Sequence, residues 1–179
     1  MKILAIQASP NHDGLTARAA KAVLKGFKDD ENDVELIHLN DLDLEHCIAC
    51  NEGWGKCRTE GYCILEDGLQ ELREKIGEVD ALVFSTPVYW HDLSESAKTF
   101  LDRLRRVETH NGFSGFRGKK AVGIAAAGGS GNGACRALYL LEDYIRRLGF
   151  EVFDLVTFTQ ASREHKLRML QYAGERLKE

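Results

Sequence analysis

Short apolar runs alternate along the chain with longer stretches of helical periodicity. The first run, KILAIQA, has little polar alternation, and the stretch after it spaces its apolar side chains as an amphipathic helix does. The same succession then recurs to the end of the chain. Strands are predicted at 2–8, 33–39, 80–86, 119–126 and 150–157. Helices are predicted at 15–28, 66–77, 93–107, 133–148 and 162–178, the fourth ended by Gly149 at its C-cap.

The first, third and fourth strands are nearly continuous hydrophobic runs, which is typical of parallel strands covered by helices on both faces. Five strand–helix units of this kind predict an α/β, doubly wound sheet. Residues 1–179 are interpreted as a single domain. A cysteine-rich loop at about 47–65, between the second strand and the second helix, is its one excursion from a compact core.

Composition and charge narrow the classes of function. The 179 residues are 44% hydrophobic and carry a formal net charge of −4, with acidic and basic residues interspersed. A nucleic-acid partner is disfavoured, because no broad basic face is available for a phosphate backbone. The apolar run Ile3 to Ile6 is too short for a signal peptide, and no later run has membrane-spanning length. We therefore expect a cytoplasmic protein without a membrane partner.

The loop after the first strand has the character of a phosphate site. It reads SPNHDGLT, from Ser9 to Thr16, and leads directly into a helix. Backbone N–H groups and the positive dipole end at a helix N-terminus bind phosphate, and the two hydroxyls add donors. A plain capped turn is the alternative interpretation. Neither GxGxxG nor GxxxxGKS/T appears in this loop, which disfavours a dinucleotide or triphosphate site.

Two further loops follow strands of the same sheet and suit a flat ring. After the third strand, Pro87 and Val88 precede Tyr89 and Trp90, which could pack along a ring while their backbone amides bond its edge. After the fourth strand, AAAGGSGNGAC holds four glycines within six residues, which indicates close approach of the main chain to a ligand. Aromatics that merely cover the sheet and a flexible loop are the alternatives. A phosphate-binding loop, a loop with two aromatic residues and a glycine-rich loop at the same end of one sheet together indicate FMN.

With these motifs in place, the chain from Met1 to about Gly149 resembles the NADPH-dependent FMN reductase and iron–sulfur flavoprotein group of the flavodoxin-like superfamily. SPNHDGLT is similar to the family's SPRxxGNT loop, TPVYW followed by KTFLDR to its TPVYW…KxFxDR, and GGSGNG to its second ring-binding loop. The resemblance implies a five-stranded parallel sheet in the order 2-1-3-4-5. The cofactor-binding residues it implies are Ser9, Asn11, Gly14, Leu15, Thr16, Pro87, Val88, Tyr89, Trp90, Gly128, Gly129, Ser130 and Gly133.

Two positions depart from the phosphate-loop pattern. Asn11 stands where the family usually has arginine, and Leu15 where it often has asparagine or serine. Each change removes a phosphate contact, so the resemblance implies a lower affinity for FMN than is usual in the family.

Four cysteines lie in the loop that follows the second strand: Cys47, Cys50, Cys57 and Cys63. In the iron–sulfur branch of the family, a compact cysteine loop at this place binds a [4Fe–4S] cluster. Here six residues, NEGWGK, separate the second and third cysteines where that branch has two. Soft thiolates can bind iron–sulfur or zinc. Unmetallated thiols that shape the active site or a subunit contact remain the third interpretation.

Other candidate residues carry weaker expectations. His91, beside the expected ring, is a candidate for proton relay, although an exposed histidine opening a helix is the plainer interpretation. Asp102 and Arg103 are expected to pair within their helix, and Cys135 to be a small buried hydrophobe. The loop 108–118 is a candidate lid or subunit contact.

Two functions from different classes follow from the resemblance. The first is an NAD(P)H-dependent flavin or quinone reductase, in which NAD(P)H binds transiently over FMN and a small molecule accepts the electrons. The second is an electron carrier that passes electrons from ferredoxin through a [4Fe–4S] cluster to FMN. A scaffold that binds no flavin is a third possibility, supported only by Asn11 and Leu15. A homodimer or homotetramer is expected.

Overall fold

The computed structural model describes residues 1–179. The strands are β1 (Lys2–Gln7), β2 (Asp33–His38), β3 (Ala81–Tyr89), β4 (Asp92–Leu93), β5 (Lys120–Ala127) and β6 (Glu151–Thr159). The α-helices are α1 (Leu15–Phe27), α2 (Lys56–Thr59), α3 (Leu69–Glu78), α4 (Glu95–Glu108), α5 (Ala134–Arg147) and α6 (Arg163–Arg176). Two single-turn 3₁₀ helices, Leu39–Asp41 and Asn51–Gly53, lie in the long connection between β2 and α3.

The sheet runs in the order β2-β1-β3-β5-β6, and these five strands are parallel. One core cluster packs α1 and α6 on one face, and a second packs α3, α4 and α5 on the other. The predicted α/β sheet covered by helices is confirmed. The predicted count of five strands was wrong, because β4 adds a sixth that pairs antiparallel with the end of β3. The order differs from 2-1-3-4-5 only by this short strand.

The third strand, predicted to end at residue 86, continues past Pro87. The Ser85 carbonyl accepts a hydrogen bond from the Ala8 N–H on the β1 side, at 2.8 Å. Pro87 faces the same side two residues later, where the pairing of β1 with β3 has already ended at Gln7. The N–H that proline lacks therefore costs no sheet hydrogen bond, and β3 reaches the rim as far as Tyr89.

Helix α4 begins two residues later than predicted because a serine caps it. Leu93 belongs to β4, and the Ser94 Oγ accepts a hydrogen bond from the Ala97 N–H at 3.3 Å. This is the arrangement of an N-cap serine. At the other end of the chain, Gly149 follows α5 with φ +98°, as a glycine after a helix C-terminus commonly does.

One aromatic residue of the loop 108–118 is part of the hydrophobic core. Phe116 is 1% exposed, and its ring stacks on Phe150 with the centroids 5.1 Å apart. Phe116 is therefore a core residue, and the expectation that the loop is a lid or a subunit contact stays a prediction for the exposed residues around it. None of the helices combines the length and apolar composition that crossing a bilayer requires.

Helices α1 and α6 cross at two glycines. A Cβ on Gly174 would lie 2.0 Å from the Val23 carbonyl oxygen, and one on Gly26 would lie 1.8 Å from the Gln171 carbonyl oxygen. Both neighbouring atoms are backbone, so neither can move aside alone. The close approach fixes α1 against α6.

We expect the Gly174→Ala substitution to lower the free energy of unfolding by about 1–3 kcal/mol, because it overpacks this crossing. The matched control is Gly77→Ala in α3, where an added Cβ meets nothing within 4 Å. That change should raise stability by about 0.5–1 kcal/mol through helix propensity. Urea denaturation of both variants measures the difference, and equal stabilities would contradict the packing model.

Candidate functional site

The loop after β1 is held by a buried glutamine. Gln7 is fully buried; its Oε1 accepts from the Ser9 N–H at 2.9 Å and its Nε2 donates to the Ser9 carbonyl at 2.8 Å. The Ser9 Oγ in turn accepts from the Asn11 N–H at 3.2 Å, and the Asn11 Oδ1 from the Asp13 N–H at 3.0 Å. These short-range bonds fix the turn that leads into α1.

At the N-terminus of α1, backbone N–H groups have no hydrogen-bond acceptor within the helix. Gly14 is the N-cap and supplies no side-chain cap, and the first turn contains no acidic residue. The first helical hydrogen bond runs from the Arg18 N–H to the Gly14 carbonyl at 3.0 Å. The N–H groups of residues 15–17 therefore have no intrahelical partner. With the positive end of the helix dipole, they form a site that favours an anion.

Three serine hydroxyls connect this loop to the end of β3 and the start of α4. Ser85 Oγ donates to the Thr16 carbonyl at 3.0 Å. Ser94 Oγ and Ser96 Oγ both donate to the Ala8 carbonyl, at 2.9 and 3.0 Å. The sequence reasoning missed Gln7, Ser85, Ser94 and Ser96, since their roles depend on which strands become neighbours. The SxS spacing at the start of α4 was the only local signal.

The end of β3 forms a tight hairpin with β4. Tyr89 pairs with Asp92, so Trp90 and His91 are the two turn residues, with φ of +48° and +68°. Positive φ at both positions defines a type I′ turn, which normally contains asparagine and glycine. Residues other than glycine pay about 1 kcal/mol or more each for such a conformation, and strain of this kind clusters at functional sites. Trp90 is 96% exposed at the tip.

The glycine loop after β5 meets this hairpin. Gly133 has φ +77°, and a Cβ there would lie 2.5 Å from the His91 Cα. In contrast, an added Cβ on Gly128 or Gly129 meets nothing within 4 Å. The main chain at these two positions is open to a ligand, whereas Gly133 is required by the protein's own packing. His91 is exposed.

The residues named from the sequence thus lie on three loops at the carboxyl edge of β1, β3 and β5, and the segment from the end of β3 to the start of α4 contacts each of the other two. Ser9, Thr16 and Pro87 are buried; Gly14, Leu15, Val88 and Gly133 are partly buried. The others, Asn11, Tyr89, Trp90, Gly128, Gly129 and Ser130, are exposed. Burial, and secondarily the charge of Glu95, raises the pKa of the Tyr89 phenol, which therefore stays neutral at physiological pH.

The four loop cysteines line one cavity together with residues of α4. Its walls are Cys47, Ile48, Ala49, Cys50, Cys57, Cys63, Ile64, Leu65, Arg103, Arg106 and Val107. No three cysteine, histidine, aspartate or glutamate side chains are gathered at the spacing that holds a metal ion. The structure therefore does not show a metal centre, which was one of the interpretations left open by the sequence, although it does place all four thiols around one space. Cys135, expected to be buried, is exposed.

Arg103 pairs across the fold and not within its own helix. The Arg103 guanidinium is 2% exposed and bonds the Asp67 carboxylate, itself 7% exposed, at 2.5 Å from Nη1 and 3.0 Å from Nη2. Asp102 accepts instead from Lys98 at 3.2 Å and from the Tyr144 hydroxyl at 2.5 Å. The expected pairing of Asp102 with Arg103 was wrong, because adjacent residues on a helix point in different directions.

Asp67 joins the cysteine loop to α3 and α4. It accepts from the Glu45 N–H at 2.9 Å and from the Leu69 N–H at 3.2 Å, in addition to Arg103. Burial alone would raise the pKa of the Asp67 carboxyl, but the hydrogen bonds from Arg103 and from the two backbone groups hold it below its usual value. The carboxylate is therefore ionised at neutral pH.

Comparison with known proteins adds sequence and structural relatives. Residues 1–162 match the family model for NADPH-dependent FMN reductase. An iron-sulfur flavoprotein of Methanocaldococcus jannaschii is 33% identical over 134 residues, 74% of this chain and 65% of that protein. The chain spans between 46% and 65% of the length of three such curated relatives.

Two solved structures share the fold at low sequence identity. An NAD(P)H:quinone oxidoreductase from Methanothermobacter marburgensis superposes with a TM-score of 0.71 at 21% identity, covering 100% of this chain and 98% of the other. An FMN-dependent NADH-azoreductase from Bacillus anthracis, in complex with FMN, gives 0.73 at 15% identity, with both chains covered to 100%. The flavodoxin-like character of the sheet is therefore confirmed.

Proposed function

Because this chain belongs to the NADPH-dependent FMN reductase family, we propose that it is an FMN-containing oxidoreductase. It would take electrons from NAD(P)H and deliver them to a small-molecule acceptor such as a quinone. The observation that carries the proposal is the set of unpartnered N–H groups at the start of α1, facing the rim that the two ring loops share. The names of the two solved structures support the same class of reaction.

The residues of the three loops fit FMN. The backbone N–H groups of residues 15–17 and the Thr16 hydroxyl would bind the phosphate. Backbone amides of 87–90 would bond the polar edge of the ring, and the open Gly128–Gly129 segment would let main chain approach it. Ser130 adds a hydroxyl at the same edge. When bound, FMN supplies the redox chemistry, accepting electrons from a reduced nicotinamide and passing them on.

The donor, acceptor and assembly are parts of the same proposal. NAD(P)H would bind transiently over the ring, since no separate dinucleotide motif is present in the phosphate loop. Trp90, 96% exposed beside the ring loops, supports a cleft that a second subunit completes, as in a homodimer or homotetramer. A cytoplasmic location suits a nicotinamide-dependent reductase. His91 is close enough to the ring loops to be a candidate proton relay.

The test is FMN binding followed by NAD(P)H oxidation. FMN in excess should raise the melting temperature, and the complex should oxidise NADPH or NADH when a quinone is added. The absence of any FMN-dependent rise in melting temperature would refute the proposal and favour the flavin-free scaffold.

The Thr16→Val variant tests the proposed phosphate-binding site at the start of α1. Valine keeps the shape of threonine but removes the hydroxyl, so FMN affinity should fall roughly tenfold, the equivalent of one hydrogen bond to a charged group. Thr59→Val, an exposed threonine of α2, is the matched control and should leave FMN affinity unchanged. Titration of flavin fluorescence measures the FMN affinity of both variants. If the Thr16→Val variant binds FMN as tightly as the control does, the phosphate binds elsewhere.

A second candidate function rests on the cysteine cavity. All four loop thiols and two arginines line it, and the loop backbone has positive φ at Ala49, Asn51 and Glu52. Strained backbone of this kind persists where surrounding structure or a ligand holds it. The cavity measures about 20 Å³, room for roughly one water-sized atom, so the four thiols in this arrangement do not enclose the space that a [4Fe–4S] cluster needs.

In this second candidate the protein is an iron–sulfur flavoprotein that carries electrons from ferredoxin to FMN. Cys47, Cys50, Cys57 and Cys63 would hold the cluster, and the relative from Methanocaldococcus jannaschii carries that name. Anaerobic purification with iron and acid-labile sulfide analysis separates the two functions. Flavin absorbance with negligible iron favours the reductase alone, whereas about four iron atoms per chain, the number in one such cluster, favours the carrier.

A further inference from the structure

The buried glutamine that holds the loop after β1 makes one further contact, to a histidine of β2. Gln7 and His38 lie directly opposite each other in the parallel register of β1 and β2. The Gln7 Nε2 is 2.5 Å from the His38 Nδ1, which is a hydrogen-bond distance. Gln7 is fully buried and His38 is partly buried. One side chain therefore joins His38 to the proposed phosphate-binding loop, residues 9–16.

The backbone of Ser9 decides which way round the Gln7 amide lies. The Ser9 N–H can only donate, so the atom that faces it is the Gln7 oxygen. The Ser9 carbonyl can only accept, so the atom that faces it is the Gln7 nitrogen. The second hydrogen of that nitrogen is left for the His38 Nδ1. His38 must therefore accept at Nδ1, which requires the neutral imidazole with its proton on Nε2.

A proton on the His38 Nδ1 is incompatible with this arrangement. The charged imidazole donates from both ring nitrogens, so an N–H of His38 would face an N–H of Gln7. A buried Gln7 hydrogen would also lose its acceptor, which is costly. The two donors separate only if one of the side chains turns away, and a turn of Gln7 breaks both of its bonds to Ser9.

The groups around His38 favour its neutral form. Its ring stacks on that of His12 with the centroids 4.0 Å apart, and the His12 Nε2 is 3.0 Å from the Asp41 Oδ1. Burial, and after it the charge of His12, lowers the pKa of His38. Asp41 and Asp13 act in the opposite direction, and Lys21 of α1 acts in the same direction. The imidazole that accepts from the glutamine is therefore the form present at neutral pH.

We propose that His38 is a positioning residue for FMN binding, whose neutral imidazole holds Gln7 and, through Gln7, the phosphate-binding loop in the form that binds FMN. The inference rests on the proposed function. Because that form requires neutral His38, a proton on His38 and FMN on the loop oppose each other. FMN is therefore bound at neutral pH and released as His38 takes up its proton in acid.

The test measures FMN affinity by flavin fluorescence across about pH 5 to 8, the range in which histidine changes charge. His38→Asn keeps an acceptor near the position of Nδ1 but does not titrate, whereas His38→Leu removes the acceptor. His165→Asn makes the same substitution at an exposed histidine of α6 and is the matched control. The ratio of each variant's dissociation constant to that of the unmodified protein cancels the ionisation of the FMN phosphate itself.

The expected result is a loss of FMN affinity in acid that His38→Asn abolishes. The unmodified protein and His165→Asn should lose up to roughly tenfold per pH unit relative to His38→Asn, the limit for one linked proton. His38→Leu should bind FMN roughly threefold more weakly, or worse, at every pH, because a buried donor lacks its acceptor. NMR of the imidazole nitrogens should show the His38 proton on Nε2, and FMN should lower the pKa of His38 further.

Two distinct outcomes would overturn the inference. If the unmodified protein binds no FMN at any pH, the proposed function fails and the role of His38 fails with it. If FMN binds but His38→Asn loses affinity in acid as the unmodified protein does, or if NMR places the neutral proton on Nδ1, only the role of His38 fails. Melting temperatures without FMN check folding, and His38→Asn with the NMR measurement keeps the test valid if His38→Leu does not fold.

Discussion

The Gly133→Ala variant is expected to lose at least roughly tenfold in FMN affinity. Gly133 has φ +77°, where an L-residue costs about 1–2 kcal/mol, and its new Cβ would lie 2.5 Å from the His91 Cα. Relief of that clash requires the glycine loop and the β3–β4 hairpin to separate. Both carry the proposed ring contacts, so the ring site should open. Fluorescence titration with FMN measures the loss.

A matched substitution separates a ligand effect from a packing effect. Gly129→Ala adds the same methyl group in the same loop, but the new Cβ meets nothing within 4 Å. Its melting temperature without FMN should therefore remain that of the unmodified protein, while its FMN affinity falls if the main chain closely approaches the ring. Unchanged affinity in the Gly133→Ala variant would show that this rim does not bind flavin.

The Asp67→Asn variant is expected to lose about 3–5 kcal/mol of unfolding free energy, because it leaves the Arg103 charge buried without its partner. Arg103 is 2% exposed and Asp67 7%, so water cannot replace the lost carboxylate. The same substitution weakens the anchor of the cysteine loop at Glu45. Urea denaturation at pH 7 in reducing buffer measures the change. The control is Glu142→Gln, whose exposed partner Arg146 predicts at most about 0.5 kcal/mol.

The pH dependence of stability provides a second measurement on the same pair. Because the folded-state pKa of Asp67 lies below its unfolded value, the carboxylate contributes stability that is fully present above about pH 4–5. That contribution is lost as the pH falls through the folded-state pKa. The difference between the unmodified protein and D67N should therefore be constant near neutrality and shrink in acid. A difference that is independent of pH would assign the effect of the substitution to packing.

Local sequence patterns determined the strand–helix alternation and the three loops of the candidate site. Apolar periodicity and glycine or proline positions act within a few residues, and they identified every long strand and all but the one-turn helix α2. The resemblance of SPNHDGLT, TPVYW and GGSGNG to family motifs then named the family that residues 1–162 match. These features are encoded close together along the chain.

The tertiary structure alone decided the contacts between distant segments. The sequence pattern did not reveal the hydrogen bonds between Gln7 and Ser9. It also did not reveal that Ser94 and Ser96 donate hydrogen bonds to the Ala8 carbonyl, or that Gly133 packs on His91. The sequence also suggested an ion pair between Arg103 and its neighbour Asp102. In the fold, Arg103 pairs instead with Asp67, 36 residues away in the chain. Such contacts depend on strand order and helix orientation, which many side chains set together. For that reason the shared cavity of four cysteines and two arginines became visible only in three dimensions.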